Sequence, residues 1–184
     1  MTQPPHSISV IGAGIMGITT AYILQSRFAD TEITLYDQAG FPANNASYIA
    51  GGMLSPLSEL DHMPAHFLNA AFHAIDIWQE ISREEGDNFE FNRQGSLLLS
   101  HDNDRYILER FKSILPDKTK EKWRPIGQED IASLEPNLKD SSVRNGISIK
   151  DEAHLHPQKA METLLQKIIN KDVQRIDLES KNDD

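Results

Sequence analysis

The chain has 184 residues and a formal net charge of −10, so its surface repels nucleic acid and anionic lipid, and we expect neither as a partner. Because the sequence contains no cysteine, disulfides, thiolate metal sites and cysteine nucleophiles are excluded. The apolar fraction of 39% can support a hydrophobic core, yet no apolar run has membrane-spanning length, so we expect a cytoplasmic protein.

The first predicted elements are a strand, a helix and a second strand. Ile8, Val10 and Ile11 are β-branched and predict a short strand that is buried on both faces of a sheet. The apolar stripe of residues 15–27 is as broad as expected for a helix between two strands. Residues 33–36 predict the second strand. This order is typical of the start of a dinucleotide-binding βαβ unit.

Three glycines follow the first strand with the spacing G-x-G-x-x-G. We expect Gly12 to make a tight turn, Gly14 to let a pyrophosphate approach, and Gly17 to let the helix pack closely on the strand. Asp37 ends the second strand, 20 positions after Gly17, where a carboxylate would meet a ribose hydroxyl. A glycine turn that serves packing alone is the alternative, but the neighbouring strand, helix and acid favour a bound dinucleotide.

The segment 39–56, AGFPANNASYIAGGMLSP, has neither helical nor strand periodicity and carries almost no charge. Surface loops are normally polar, whereas a series of small residues indicates backbone that lies close to another group. We therefore predict irregular structure in close contact with something outside the segment.

Periodicity and turn signals predict the elements of the remaining chain. In chain order they are a helix over 64–85, two strands over 89–91 and 96–100, a helix over 102–115, a strand over 123–127, a helix over 128–135, a strand through 147–149, and a helix that begins at 157. The buried faces of two of these helices are expected to carry Ile107, Phe111 and Ile114 in one, and Met161, Leu164, Leu165 and Ile168 in the other.

The fold class predicted from these elements is α/β. A Rossmann-like βαβ unit is expected over 1–56, an inserted antiparallel α+β portion over 57–156, and a return to the first unit with an acidic tail over 157–184. A doubly wound sheet needs several parallel strands, but only two clear ones and a candidate near Val173 are present. We therefore expect a truncated nucleotide-binding domain.

Together with the first forty residues, four stretches resemble those of a known family: NNASYIAGGMLSP, RQGSLLLS, SLEPNL and DEAHLHP. The sequence resembles the N-terminal half of the flavin-dependent amine oxidases of the D-amino-acid oxidase class, and most of all the glycine oxidases of thiamine biosynthesis. The resemblance implies an FAD-binding unit with part of a substrate-binding α+β domain. It implies FAD as cofactor and a small amine or amino acid as substrate, with hydride transfer to flavin N5, imine hydrolysis and H2O2 release.

The resemblance also assigns the FAD contacts, while the catalytic residues stay unassigned. The pyrophosphate would lie against Gly12, Gly14, Ile15, Met16 and Gly17. Asp37, followed by Gln38, would hold the adenosine ribose. The pyrophosphate and the path toward the isoalloxazine ring would be lined by Ala46, Ser47, Gly51, Gly52 and Met53, and the adenine would meet the backbone of Val173.

Two departures from the family pattern stand out. His156 precedes Pro157 where many relatives have aspartate, so we expect the loss of a helix cap, which typically costs about 0.5 to 2 kcal/mol. An arginine that grips the substrate carboxylate belongs to the later part of the family pattern and has no counterpart in this sequence. The amine substrate therefore stays unnamed.

Two alternatives remain open. The chain could be a non-catalytic remnant or a subunit that a second chain completes, because the sheet and the arginine are missing. It could also be a nicotinamide-dependent dehydrogenase, which uses the same glycine fingerprint. We expect no metal site, because the histidine pairs at 62 and 66 and at 154 and 156 lack a third ligand.

Overall fold

The computed structural model describes residues 5–39, 45–168 and 174–175. Contacts between Cα atoms divide the chain into two compact units. The first unit comprises Met1–Gly52, Glu85–Glu90 and His156–Asp184, and the second comprises Met53–Glu84 and Phe91–Leu155. Residues 85–90 therefore belong to the first unit, although the chain on both sides of them belongs to the second.

The strands and helices alternate along much of the chain. The strands are β1 (Ser7–Ile11), β2 (Glu32–Asp37), β3 (Met53–Leu54), β4 (Ser96–His101), β5 (Trp123–Gly127), β6 (Val143–Ile149), β7 (Ala153–His154) and β8 (Gln174–Arg175). The α-helices are α1 (Ile15–Arg27), α2 (Ala46–Ile49), α3 (Leu68–Glu84), α4 (Arg105–Ile114), α5 (Gln128–Leu134) and α6 (Pro157–Gln166). Short 3-10 helices cover Ala65–Phe67, Asp102–Asp104, Asp117–Lys122 and Pro136–Leu138.

The first unit contains a parallel sheet in the order β1-β2-β8. The predicted βαβ unit is confirmed, since β1 and β2 pair in parallel and α1 connects them. Ile33 and Leu35 of β2 are fully buried, as is Ile18 of α1. These apolar side chains stabilise the packing of α1 on the sheet, because burying a large aliphatic side chain contributes about 1.5 to 3 kcal/mol to the free energy of unfolding.

The prediction that β1 is buried on both faces is wrong. Ile8 and Val10 are half-buried, and Ile11 is 71% exposed. Among the described strands, β1 pairs with β2 alone and so lies at the edge of the sheet. Its outer edge therefore has no neighbouring strand in the described part of the chain.

The predicted strand over 89–91 is also wrong. Asp87 and Glu90 have positive φ angles of 58° and 56°, which an extended strand cannot contain. The segment instead turns Phe89 into a fully buried position, and the Phe89 carbonyl accepts a hydrogen bond from the His156 amide at 2.8 Å. Non-glycine residues in the left-handed region give little sequence signal, so periodicity could not locate this turn.

The second unit contains two antiparallel sheets, β4-β6-β5 and β3-β7. The strands predicted over 96–100, 123–127 and 147–149 are confirmed as β4, β5 and β6. The hydrophobic core consists of Leu57, Leu60, Leu68, Leu108, Phe111, Leu115, Ile147 and Ile149. Ile107 was expected in this core but is 48% exposed, and Leu108 is buried in its place. The buried face of α4 runs through Leu108 and Phe111, which are one helical turn apart.

Two further differences from the predictions concern helix α6 and the segment 39–56. The expected loss of a cap at α6 is wrong, because His156 Nδ1 accepts a hydrogen bond from the Lys159 amide at 3.4 Å. The predicted inward face of α6 is confirmed by its buried residues. Part of the segment predicted to be irregular forms α2 and β3, and residues 40–44 lie outside the described residues.

Candidate functional site

The glycine turn between β1 and α1 is held by the backbone. Gly12 has a φ angle of +100°, which a residue with a side chain rarely adopts, and its amide donates to the Tyr36 carbonyl at 2.7 Å. A Cβ atom at Gly17 would overlap the carbonyl oxygen of Gly12. The start of α1 therefore lies directly on the turn, at a distance that glycine alone permits.

The Asp37 carboxylate closes the turn from the end of β2. Its Oδ2 atom accepts a hydrogen bond from the Ala13 amide at 2.8 Å, and its Oδ1 atom accepts one from the Ala39 amide at 2.9 Å. Within the described residues, each oxygen thus has one donor, and a carboxylate oxygen can accept a second hydrogen bond, for example from a ligand hydroxyl. Asp37 therefore has a structural role in holding the turn, and its contact with the ribose stays a prediction.

The N-terminus of α1 can accept an anion. Ser47 Oγ accepts a hydrogen bond from the Ile15 amide at 3.1 Å, and the serine hydroxyl keeps its own proton for donation. The amides of Met16 and Gly17 belong to the first helical turn, for which an α-helix offers no backbone acceptor. The first turn of α1 has no acidic residue. The helix dipole and these donors therefore favour a phosphate group at this point.

Gly14 provides a test of whether a ligand group fits. A Cβ atom at Gly14 would lie 3.5 Å from Ser47 Oγ, which is an ordinary van der Waals distance. Among the described residues, Ser47 supplies the one atom within 4 Å of that Cβ, so a methyl group would fit against the described part of the chain. The groups at this turn suit a pyrophosphate. They are the amides of the first turn of α1, the Ser47 hydroxyl and the side-chain-free position at Gly14.

Asn45 and Tyr48, which flank Ser47 in sequence and hold α2, were not among the predicted site residues. The Asn45 side chain caps α2 by accepting from the Tyr48 amide at 2.9 Å, and its Nδ2 atom donates to the Ala13 carbonyl at 3.4 Å. Tyr48 Oη donates to Glu162 Oε1 at 2.9 Å, and this hydrogen bond raises the pKa of Tyr48. Asparagine before a short apolar run is a common cap signal, so Asn45 could have been found from sequence.

The structure brings only part of the predicted FAD site together. Within the first unit, the turn at 12–17 lies against Asp37 and Ser47. Gln38, Ala46 and Gly51 are exposed without a role in this cluster, and Gly52 has a φ angle of +70°. Met53 is 61% exposed and belongs to the second unit. Val173 lies outside the described residues.

The second unit has a cavity of about 340 Å³ beside Met53. The cavity is lined by Met53, Leu54, Ser55, Pro56, Glu59, Met63, Ala71, Ala74 and Ile75. The lining is mostly apolar, and Glu59 is its one carboxylate. Over the described ranges, no cluster of three or more metal-ligating side chains is found. Within the same ranges, none of the helices is both long and apolar enough to cross a membrane.

The parallel βαβ unit, the glycine turn and the acid at the end of β2 define a dinucleotide-binding protein of the Rossmann type. Residues 7–177 match the protein family described as FAD dependent oxidoreductase, DAO. The chain belongs to this family. The predicted family, the α/β fold class and FAD as the cofactor are thereby confirmed, and FAD is favoured over the nicotinamide alternative.

Individual relatives are similar over most of this chain. A Rhizobium etli protein provisionally named thiamine biosynthesis oxidoreductase ThiO is 31% identical over 157 residues, which cover 85% of this chain and 44% of that protein. The structure of glycine oxidase from Bacillus cereus has a TM-score of 0.74 at 13% identity and covers 94% of this chain and 47% of that one. Iminodiacetate oxidase from Chelativorans sp. has a TM-score of 0.70 at 22% identity, covering 92% and 46%. The chain therefore spans less than half the length of each of these proteins.

Proposed function

We propose that this chain is the FAD-binding part of an oxidase that acts on glycine or another small amine and releases H2O2. The observation that carries the proposal is the turn of the first unit, where first-turn amides, the Ser47 hydroxyl and the Asp37 carboxylate surround an open position at Gly14. A role in thiamine biosynthesis is part of the proposal, and its support is the name of the Rhizobium etli relative.

Each group of the turn has a proposed task. The amides of Met16 and Gly17 and the Ser47 hydroxyl would bind the pyrophosphate, and Asp37 would accept a hydrogen bond from the adenosine ribose. When bound, FAD supplies the acceptor for the hydride of the substrate. The protein would contribute orientation and electrostatics, so no general base is assigned. Gln38, Ala46, Gly51, Gly52, Met53 and Val173 stay predicted contacts on the strength of the resemblance alone.

The cavity of the second unit is the proposed substrate site. Its lining is mostly apolar, and the Glu59 carboxylate would attract the ammonium group of a small amine. The ammonium group is the part of such a substrate that this lining suits. The names of two similar structures, glycine oxidase and iminodiacetate oxidase, support a substrate of this size.

The test separates cofactor binding from folding. The purified chain is titrated with FAD, and NADH is titrated in parallel. We expect flavin absorbance and FAD uptake in the wild type, and at least about a tenfold loss of FAD affinity in Gly14→Ala, with little change in thermal unfolding. The added methyl group would occupy the ligand space while it fits the chain itself. A colourless chain that takes up no FAD would refute the proposal.

A second candidate is a subunit that needs a partner chain for activity. The observation in its favour is that, among the described strands, β1 lies at the edge of its sheet, with Ile11 71% and Met16 77% exposed nearby. A polypeptide that adds a strand beside β1 would cover this edge. Peroxide release from glycine by the isolated chain would refute the candidate, whereas activity that returns only with a co-expressed partner would support it.

A further inference from the structure

The second unit contains a buried carboxylate that the proposed cofactor contacts do not use. Glu152 is 1% exposed and lies in the connection between β6 and β7. Its neighbour Asp151 has a φ angle of +65°, so the chain turns sharply there and directs residue 152 inward. A buried carboxylate needs hydrogen-bond donors, because it loses its hydration on folding.

Glu152 has two donors on each oxygen. Its Oε1 atom accepts from the amides of Leu57 at 2.7 Å and Ser58 at 3.0 Å. Its Oε2 atom accepts from Ser58 Oγ at 2.8 Å and from Ser96 Oγ. None of the ion pairs found within the described residues includes Glu152. The carboxylate is therefore stabilised by neutral donors that come from two distant parts of the chain.

These contacts hold one wall of the cavity at both ends. At one end, β3 pairs with β7, with Met53 opposite His154 and Leu54 opposite Ala153. At the other end, Glu152 binds the amides of Leu57 and Ser58. The cavity is lined by the first anchor, Met53 and Leu54, and by Ser55 and Pro56, which connect it to the second anchor. The position of this wall therefore depends on Glu152.

Stability alone does not account for a carboxylate at this position. Apolar residues of similar volume are often as stable as buried charged groups, because they avoid the loss of hydration. A carboxylate, in contrast, aligns several donors at once and so favours a single backbone path. Here the aligned donors belong to the segment that forms the cavity wall.

We propose that Glu152 is a positioning residue that sets the path of residues 53–58 and thereby the shape of the cavity. That the cavity receives the amine rests on the proposed function. The role of Glu152 in the backbone path does not.

Three variants separate the hydrogen-bond role from charge and from general destabilisation. Glu152→Gln keeps an oxygen for the two amides, and its NH2 group can donate to the two serine hydroxyls, which can rotate to accept. Glu152→Ala removes all four contacts. Glu80→Ala, at an exposed position of α3, is the matched control.

Amide hydrogen exchange is the first measurement. We expect the amides of Leu57 and Ser58 to exchange roughly tenfold or more faster in Glu152→Ala, and close to the wild-type rate in Glu152→Gln and in the control. The amide of Ile147, in the centre of the sheet, should change little. Equal rates in Glu152→Ala and wild type would refute the proposal, as would a Gln variant that is as fast as the Ala variant.

The second measurement is kinetic, on the FAD-loaded chain. We expect Glu152→Ala to raise KM for glycine roughly tenfold, with a smaller change in kcat and an unchanged flavin spectrum, and Glu152→Gln to restore KM. If Glu152→Ala only reduced the amount of active protein, the apparent kcat would fall while KM stayed unchanged. That result would refute the proposal that Glu152 shapes the cavity. If the wild-type chain is colourless, the proposed function fails, and the exchange rates still decide the role of Glu152.

If Glu152→Ala does not fold, the double variant Ser58→Ala with Ser96→Ala replaces it. This variant removes the two hydroxyl donors and leaves the two amides on the carboxylate. We expect exchange at Leu57 and Ser58 between the wild-type and unprotected rates. Wild-type protection in the double variant would show that Oε2 does not contribute and would overturn the four-donor arrangement.

Discussion

Two carboxylates, one in each unit, organise the backbone around them in different ways. Asp37 receives one amide on each oxygen, and the Ala13 amide is 24 positions away in sequence. Glu152 receives two donors on each oxygen, from residues 56 to 95 positions away. Counting donors from the described residues, Asp37 therefore keeps acceptor capacity for a ligand, whereas Glu152 is saturated by the protein. A carboxylate with unused acceptor capacity suits a ligand contact, whereas one saturated by protein donors suits a positioning role.

The largest effect is expected from Gly17→Ala. The new Cβ atom would overlap the Gly12 carbonyl oxygen, and backbone cannot move aside without opening the turn. We expect a loss of about 3 kcal/mol or more in the free energy of unfolding, measured by urea denaturation, and loss of FAD binding.

Gly146→Ala is the matched variant in the second unit. Its Cβ atom would lie 2.7 Å from Leu99 Cδ2, the end of a flexible side chain, and 3.0 Å from the Leu98 carbonyl oxygen. We expect a loss of about 1 to 2 kcal/mol in the same measurement. If both variants lost the same free energy of unfolding, the overlap of the Gly17 Cβ with the Gly12 carbonyl would not be the cause of the larger effect expected at Gly17.

Asp37→Asn is expected to have the next effect. The amide side chain can accept from Ala13 but presents NH2 where Asp37 accepts from Ala39, so one donor loses its acceptor. We expect about 1 to 3 kcal/mol of lost stability and a clear fall in FAD affinity by fluorescence titration. Asp30→Asn, at an exposed position of the same unit, is the control. Unchanged affinity would contradict a ribose contact at Asp37.

A smaller effect is expected from Ser47→Ala. The variant removes the acceptor of the Ile15 amide and the hydroxyl donor, but the helix N-terminus and Asp37 remain. The expected cost is about 0.5 to 1.5 kcal/mol of stability by thermal unfolding, together with weaker FAD binding. Ser26→Ala, on the exposed side of α1, provides the comparison. Unchanged or tighter FAD binding in Ser47→Ala would contradict the proposed contact between the Ser47 hydroxyl and the pyrophosphate.

The smallest effect concerns pH. A hydrogen bond from Lys122 Nζ at 2.7 Å lowers the pKa of the Asp151 carboxyl below its usual 3.8. Because the folded-state pKa is depressed, the contribution to stability is present above the unfolded pKa and is lost as pH falls through the folded value. The pair is partly exposed, so we expect less than about 1 kcal/mol.

Urea midpoints measured from about pH 5 to about pH 2.5 test this contribution. Asp151→Asn should flatten part of the pH dependence, since asparagine tolerates the positive φ angle of this position. If the urea midpoint of Asp151→Asn depended on pH as steeply as that of wild type, the Lys122–Asp151 pair would not contribute to stability at acid pH.

The part of the fold that the sequence predicted depends on short-range patterns. The bounds of α1 follow from an apolar stripe and from glycines at 12, 14 and 17, and the helix was found over the predicted residues. The face of α4 was predicted less well, because Ile107 and Leu108 are equally apolar and only contacts with the sheet select Leu108. The turn at Asp87 and Glu90 could not be predicted, because it contains no periodicity or turn residue pattern that indicates its positive φ angles.

The βαβ unit and the glycine turn could be predicted from the sequence, since both arise from backbone conformations and spacings within about forty residues. Tertiary structure alone decided that β1 lies at the edge of the described sheet, that residues 85–90 join the first unit, and that Glu152 binds Leu57, Ser58 and Ser96. The physical reason is distance along the chain. A buried carboxylate is stable only when its donors arrive from elsewhere in the fold, and nothing in its local sequence identifies them.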